Sequence, residues 1–191
     1  MRKIIVLLFA IFVTSNMLGQ EKEYTIDKNN NIVVSAILES LPLNKHEIFT
    51  AARQYLTEAY KETKYKIVAN NPENGTVAGE GMYSDFHEAN YFPYAYFLNA
   101  PFILRVDAKD GRARLTITLT KYTGKRVNKN ETIEINDRIS DFPPINTRED
   151  DHKKLYTKAF SLLLSRSKDT LAELEKILKS TQSSNNLEQD W

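Results

Sequence analysis

The chain has 191 residues, 26 basic against 25 acidic, and no cysteine. That length fits one domain and can bury a core without disulfide staples. Near-zero net charge argues against general nucleic-acid binding and broad attachment to anionic membranes, both of which need a basic surface.

The chain opens with Met1-Arg2-Lys3, followed by ten apolar residues over 4–13 and a polar-to-small stretch ending at Gly19. A positive start, a short apolar run and a small residue at the cut form a secretory signal peptide. The run is half the roughly 20 residues that a membrane span requires. Cleavage after Gly19 is expected, giving an exported mature chain, periplasmic or secreted, with no membrane span. Losing Arg2 and Lys3 leaves 24 basic and 25 acidic residues, a net charge of −1. The remainder divides into a single domain over 20–180 and a flexible tail over 181–191, where apolar periodicity stops.

Residues 32–38, Ile-Val-Val-Ser-Ala-Ile-Leu, are β-branched and apolar and predict a strand. Asn44 with Glu47 three residues later forms a capping box, flanked by Leu43 and Ile48 as a hydrophobic staple. Ile48, Ala51, Ala52, Tyr55, Leu56 and Ala59 recur at helical spacing, which predicts an amphipathic helix of about 18 residues. A second strand is expected over 65–69 and a third over 76–83, separated by the turn-rich run 70–75. Gly79 and Gly81 share one face of the third strand, so something should approach closely there, most simply a packed helix.

Asp110-Gly111 predicts a two-residue primed turn within a hairpin over 102–119. Counting outward, Phe102, Leu104, Val106 and Ala108 oppose Leu119, Ile117, Leu115 and Ala113, all on one face. The other face carries Ile103, Arg105 and Asp107 opposite Thr118, Thr116 and Arg114, with Asp107 and Arg114 as an opposite-charge cross-strand pair. Residues 124–146 are polar and weakly patterned, with a short edge strand possible over 131–135. Thr147 and Asp150 form a second capping box, and a long helix is expected from there to about Lys179. The order is β-α-β-β-β-β-α. It predicts an α+β domain of two layers, an antiparallel sheet with two helices on one face and the other face open.

The run Asn44-Lys45-His46-Glu47-Ile48-Phe49, the helix ending near Tyr60, the strand Gly75-Thr76-Val77-Ala78-Gly79-Glu80-Gly81 and the hairpin Ala108-Lys109-Asp110-Gly111-Arg112 together resemble one family. It is an exported Bacteroidota family of unknown function with a TBP-like fold. The resemblance covers 32–180. It implies that fold and no activity, so it carries over no catalytic, cofactor or metal residues.

Two surfaces are candidates for contact. Residues 83–102 hold eight of the 20 aromatic side chains. They read either as a recognition loop, with Tyr91, Phe92, Tyr94 and Tyr96 as contacts, or as rings closing the end of the core, with Pro93 and Pro101 setting turns. The second is the polar sheet face bearing Arg105, Asp107 and Arg114, which reads either as a binding surface or as an ordinary solvated face. His46, His87 and His152 lie apart and in no metal-binding spacing, and neither HExxH nor GxSxG occurs. No cofactor is expected. The sequence thus favours a non-enzymatic binding module of the bacterial envelope, contacting an envelope protein, peptide or glycan and not nucleic acid. An envelope hydrolase and a structural subunit of an exported assembly are the alternatives.

Overall fold

The computed structural model describes residues 23–58, 66–142, 144–146 and 153–188, with side chains in the last helix described to 181. The expected signal-peptide segment, the expected cap at Thr147 and Asp150, Tyr60, Tyr65 and His152 lie outside the described residues.

The elements run β1 (Thr25–Ile26), β2 (Ile32–Leu38), α1 (Lys45–Glu58), β3 (Lys66–Asn71), β4 (Thr76–Tyr91), β5 (Tyr94–Lys109), β6 (Arg112–Leu119), β7 (Lys121–Val127), β8 (Thr132–Arg138), a 3-10 turn (Ile139–Asp141) and α2 (Lys153–Glu188). All strand pairs are antiparallel, and the sheet order is β1-β2-β6-β5-β4-β3, with β7 paired to β5 and β8 to β7. Both helices pack on one face of this sheet, α1 against β4 and β5 and α2 against β2, β4 and β6.

The hairpin holds the predicted register from Phe102↔Leu119 to Lys109↔Arg112. Its apolar face is buried throughout, with Leu104, Val106, Leu115, Ile117 and Leu119 at 0 % exposure. The turn also fastens the hairpin to α1. Leu41 N–H donates to the Gly111 carbonyl at 2.9 Å, Gly111 N–H to Leu43 at 3.0 Å, and Lys45 N–H to the Asp110 carboxylate at 2.8 Å. Gly111 sits at φ 69°, which a Cβ would strain. The capping box closes in both directions: Glu47 N–H donates to Asn44 Oδ1 at 3.0 Å, and Asn44 N–H to Glu47 Oε2 at 2.8 Å. An acidic side chain at this end also suits the helix dipole.

Several expectations need correction. Residues 83–102 form no loop. β4 and β5 are each 16 residues long and meet at a tight turn through Phe92 and a cis Pro93, with Tyr91 opposite Tyr94. Pro101 sets no turn either. β5 pairs β6 along 102–109 and β7 along 95–99, so Pro101 falls where the ladder on that side passes from one partner to the other. A residue without an N–H fits such a position. The polar stretch after Leu119 is a hairpin of β7 and β8, and the suggested edge strand over 131–135 is part of β8. α2 is 36 residues long and continues to Glu188, past the point where apolar periodicity ends. The close approach at Gly81 comes from the ring of Phe102 on the neighbouring strand, not from a helix.

Candidate functional site

The open face is built from side chains that alternate away from the helices. The pairing aligns them in rows across four or five strands. One row reads Ile37, Arg114, Asp107, Thr76 and Asn71; the next Ser35, Thr116, Arg105, Ala78 and Ala69; the next Val33, Thr118, Ile103, Glu80 and Lys66. Arg105, Asp107 and Arg114 are thus brought together. They line a depression of about 450 Å³ with Ile37, Glu39 and the turn-proximal Lys109 and Arg112.

The expected ion pair between Asp107 and Arg114 is replaced by one within β5. Arg105 donates from Nε to both oxygens of Asp107, at 3.0 and 2.9 Å, and from Nη2 to Oδ1 at 2.7 Å. Thr76 Oγ1 on β4 donates to the same oxygen at 2.8 Å. Side chains two apart on a strand share a face, and the Thr76 bond draws the carboxylate toward β4 and away from β6. Burial alone would raise the Asp107 pKa. The hydrogen bonds from Arg105 and Thr76, with the charges of Arg105 and Arg114, outweigh it and hold the carboxyl below its ordinary value. Arg105 is raised in turn by its bond to Asp107.

The aromatic candidates divide. Tyr96 is 2 % exposed and belongs to the core, so it is not available as a contact. Tyr91 and Tyr94 pack edge-on against it at 6.3 and 6.4 Å between centroids and are half-buried. Tyr94 Oη donates to Glu131 Oε1 at 2.5 Å, and the Arg126 guanidinium lies 5.1 Å over its ring. The hydrogen bond to Glu131 raises the Tyr94 pKa, against the lowering effect of the Arg126 charge. Phe92 alone is fully exposed, at the hairpin tip. The ring segment mainly closes the end of the core, where Tyr122, Phe142 and Tyr156 continue it with centroid separations of 3.9 to 6.3 Å. The aromatic tip and Arg105 lie about 11 residues apart on β5, roughly 35 Å along an extended strand, so they are separate surfaces.

His87, Asp85 and Glu88 do not converge. His87 and Glu88 are adjacent on β4 and point to opposite faces. Asp85 sits in the bulge between Tyr83 and His87 at φ 43°, its N–H donating to Asn99 Oδ1 at 2.6 Å. Burial, helped by the nearby Lys158 charge, lowers the His87 pKa. Among the described residues, no group of three His, Cys, Asp or Glu side chains is placed to hold a metal ion. No described helix is long and apolar enough to cross a membrane.

One concavity was not anticipated. A groove of about 710 Å³ runs between α1 and α2, lined by Glu47, Thr50, Gln54 and Glu58 from one helix and Glu173, Ile177 and Thr181 from the other. Tyr55 Oη donates across it to Glu173 Oε2 at 3.1 Å. The polar positions 47, 50, 54 and 58 recur at helical spacing, the one sequence signal that pointed to it.

An open antiparallel sheet covered on one face by two helices defines the protein as an α+β domain with a TBP-like fold. Residues 37–123 match the family described as a domain of unknown function (DUF4468) with TBP-like fold. A crystal structure of a DUF4468 family protein from Bacteroides ovatus is similar at TM-score 0.53 and 13 % identity, covering 84 % of this chain and 91 % of that one. A TBP-like protein from Parabacteroides distasonis is similar at TM-score 0.59 and 14 % identity, covering 80 % and 96 %. At such identity the likeness concerns the fold. No curated protein matches the chain.

Proposed function

We propose that the chain is an exported, non-enzymatic binding module that meets an envelope protein, peptide or glycan with the open face of its sheet. The observation that carries this reading is the uncovered face itself. Ile37 at 62 % and Met82 at 40 % exposure stand on it among Arg105, Arg114, Glu80 and Lys66. Apolar side chains set among charges suit a contact surface better than a purely solvated one. The divergence of His87, Asp85 and Glu88 supports binding over hydrolysis, since an acid–base pair must converge on one reacting group. The apolar run behind Arg2 and Lys3 supports export, and the mature charge of −1 supports a partner other than nucleic acid.

Two measurements test this. A photo-crosslinking residue placed at Ser35, on the open face, should give discrete adducts in intact cells, and one at Arg53 on α1 should not. Equal adducts at both positions, or none at Ser35, would overturn the open-face reading. N-terminal sequencing of protein from the periplasm or medium should begin near Gln20. A chain that retains Met1 in the cytosol would overturn export.

A further inference from the structure

We propose that the turn-proximal end of the open face is a binding site for a small organic dianion. The inference rests on the open-face reading and names the chemistry that this face takes. The Asp110-Gly111 turn places Lys109 directly opposite Arg112, and the next open-face pair is Asp107 opposite Arg114. Like charges facing each other across a ladder destabilise it. Elsewhere on this face the sheet sets opposite charges together, as with Lys66 opposite Glu80. Four cations, Arg105, Lys109, Arg112 and Arg114, therefore gather at one depression with only Asp107 and Glu39 to oppose them.

Asp107 is already engaged by Arg105 and by Thr76. Among the described residues no carboxylate forms an ion pair with Lys109, Arg112 or Arg114. The site thus carries a surplus of two positive charges, with the Arg105 guanidinium fixed in orientation by its bidentate bond. Three of the four cations are arginines, whose planar forks match carboxylate and phosphate oxygens in pairs. A phosphate monoester or two closely spaced carboxylates supply the two negative charges. Ile37, on the rim and 62 % exposed, offers apolar surface to the organic part of the ligand. A volume of about 450 Å³ fits a small molecule or the end group of a polymer.

The test is titration of the full chain at low salt with phenyl phosphate, with phthalate and with sulfate, followed by calorimetry and by the arginine Nε–H signals in NMR. One organic dianion should saturate a single site, shifting Arg112 and Arg114, and the tighter of the two identifies the source as phosphate or carboxylate. Arg112→Ala and Arg114→Gln should each weaken it about tenfold, the worth of one charge-assisted contact, and Lys176→Ala, exposed on α2, should leave it unchanged. Without ligand, Arg112→Ala should melt no lower than the parent, since it removes a like-charge opposition. Sulfate binding as tightly as both organic dianions would mean an adventitious ion only and overturn the proposal. So would parental affinity in the arginine variants, or no saturation by either organic probe. If the dianions fail while Ser35 still crosslinks, the anion site falls and the open-face reading stands.

Discussion

Gly81 offers the sharpest test of how the long hairpin is packed. It lies opposite Phe102, and a Cβ at Gly81 would come 2.4 Å from Phe102 Cζ and 2.8 and 2.9 Å from its Cε atoms. The ring has little freedom to yield. It is 2 % exposed and stacked on Tyr83 with centroids 4.2 Å apart, and Tyr83 Oη shares a 3.0 Å hydrogen bond with Thr170 on α2. Moving the ring by the ångström that Ala needs would therefore disturb both the stack and the sheet-to-helix contact. Overpacking of this kind costs about 1–3 kcal/mol, offset by about 0.5–1 kcal/mol because Ala suits a strand interior better than Gly. Gly81→Ala should lose about 1–2 kcal/mol. At roughly 2–4 °C per kcal/mol for a domain of this size, the melting temperature should fall by several degrees. Phe102→Leu removes the obstructing ring, so in a double-mutant cycle the pair should cost at least about 1 kcal/mol less than the two single changes summed. Unchanged melting for Gly81→Ala, or additivity within about 0.5 kcal/mol, would refute the packing argument.

The division within the aromatic segment predicts opposite outcomes for two neighbouring rings. Tyr96→Ala should cost about 3–5 kcal/mol in urea unfolding, as a buried aromatic does, and Phe92→Ala should leave stability unchanged; equal losses would contradict the assignment of one ring to core and the other to surface. Tyr122 is 0 % exposed, and its hydroxyl has no hydrogen-bond partner among the described residues. Burial pushes its pKa up, so the phenol stays neutral. Tyr122→Phe should therefore stabilise the fold by about 1 kcal/mol in thermal unfolding, and a loss instead would show that the hydroxyl is satisfied. The Asp107 pKa is lower in the folded chain than its ordinary value of 3.8, so its contribution is complete above that value and fades as pH falls through the lower folded one. Because solvent screens this group, the gap between the parent and Asp107→Asn should stay under about 1 kcal/mol, constant from pH 5 to 8, and close in acid. A gap that widens on acidification would reverse the sign of the argument.

The parts of the fold legible in the sequence are those that short-range rules determine. The Asp110-Gly111 turn sets its own register, so every pair out to Phe102 and Leu119 follows by counting. The box between Asn44 and Glu47 is a contact over three residues and closes as expected. The aromatic hairpin was not legible, because Pro93 and Pro101 read as breakers and Asp85 holds a positive φ without being glycine. Pro101 is acceptable in a strand only because β6 ends and β7 begins beside it, a fact about two other strands. β7 buries only Tyr122 outright, at a position flanked by polar and basic residues, so its pattern carries almost no apolar alternation.

The open face shows the same limit at the level of chemistry. Register placed Arg114 opposite Asp107, and opposite charges across a ladder are a sound expectation. Which cation wins the carboxylate was decided elsewhere, by Thr76 on β4, 31 residues away in sequence, which turns Asp107 toward Arg105. Among the described residues, that choice leaves Arg114, beside Arg112 and Lys109, in no ion pair. An attractive pair in the sequence thus becomes a gathering of cations in the fold, the feature on which the proposed dianion site rests.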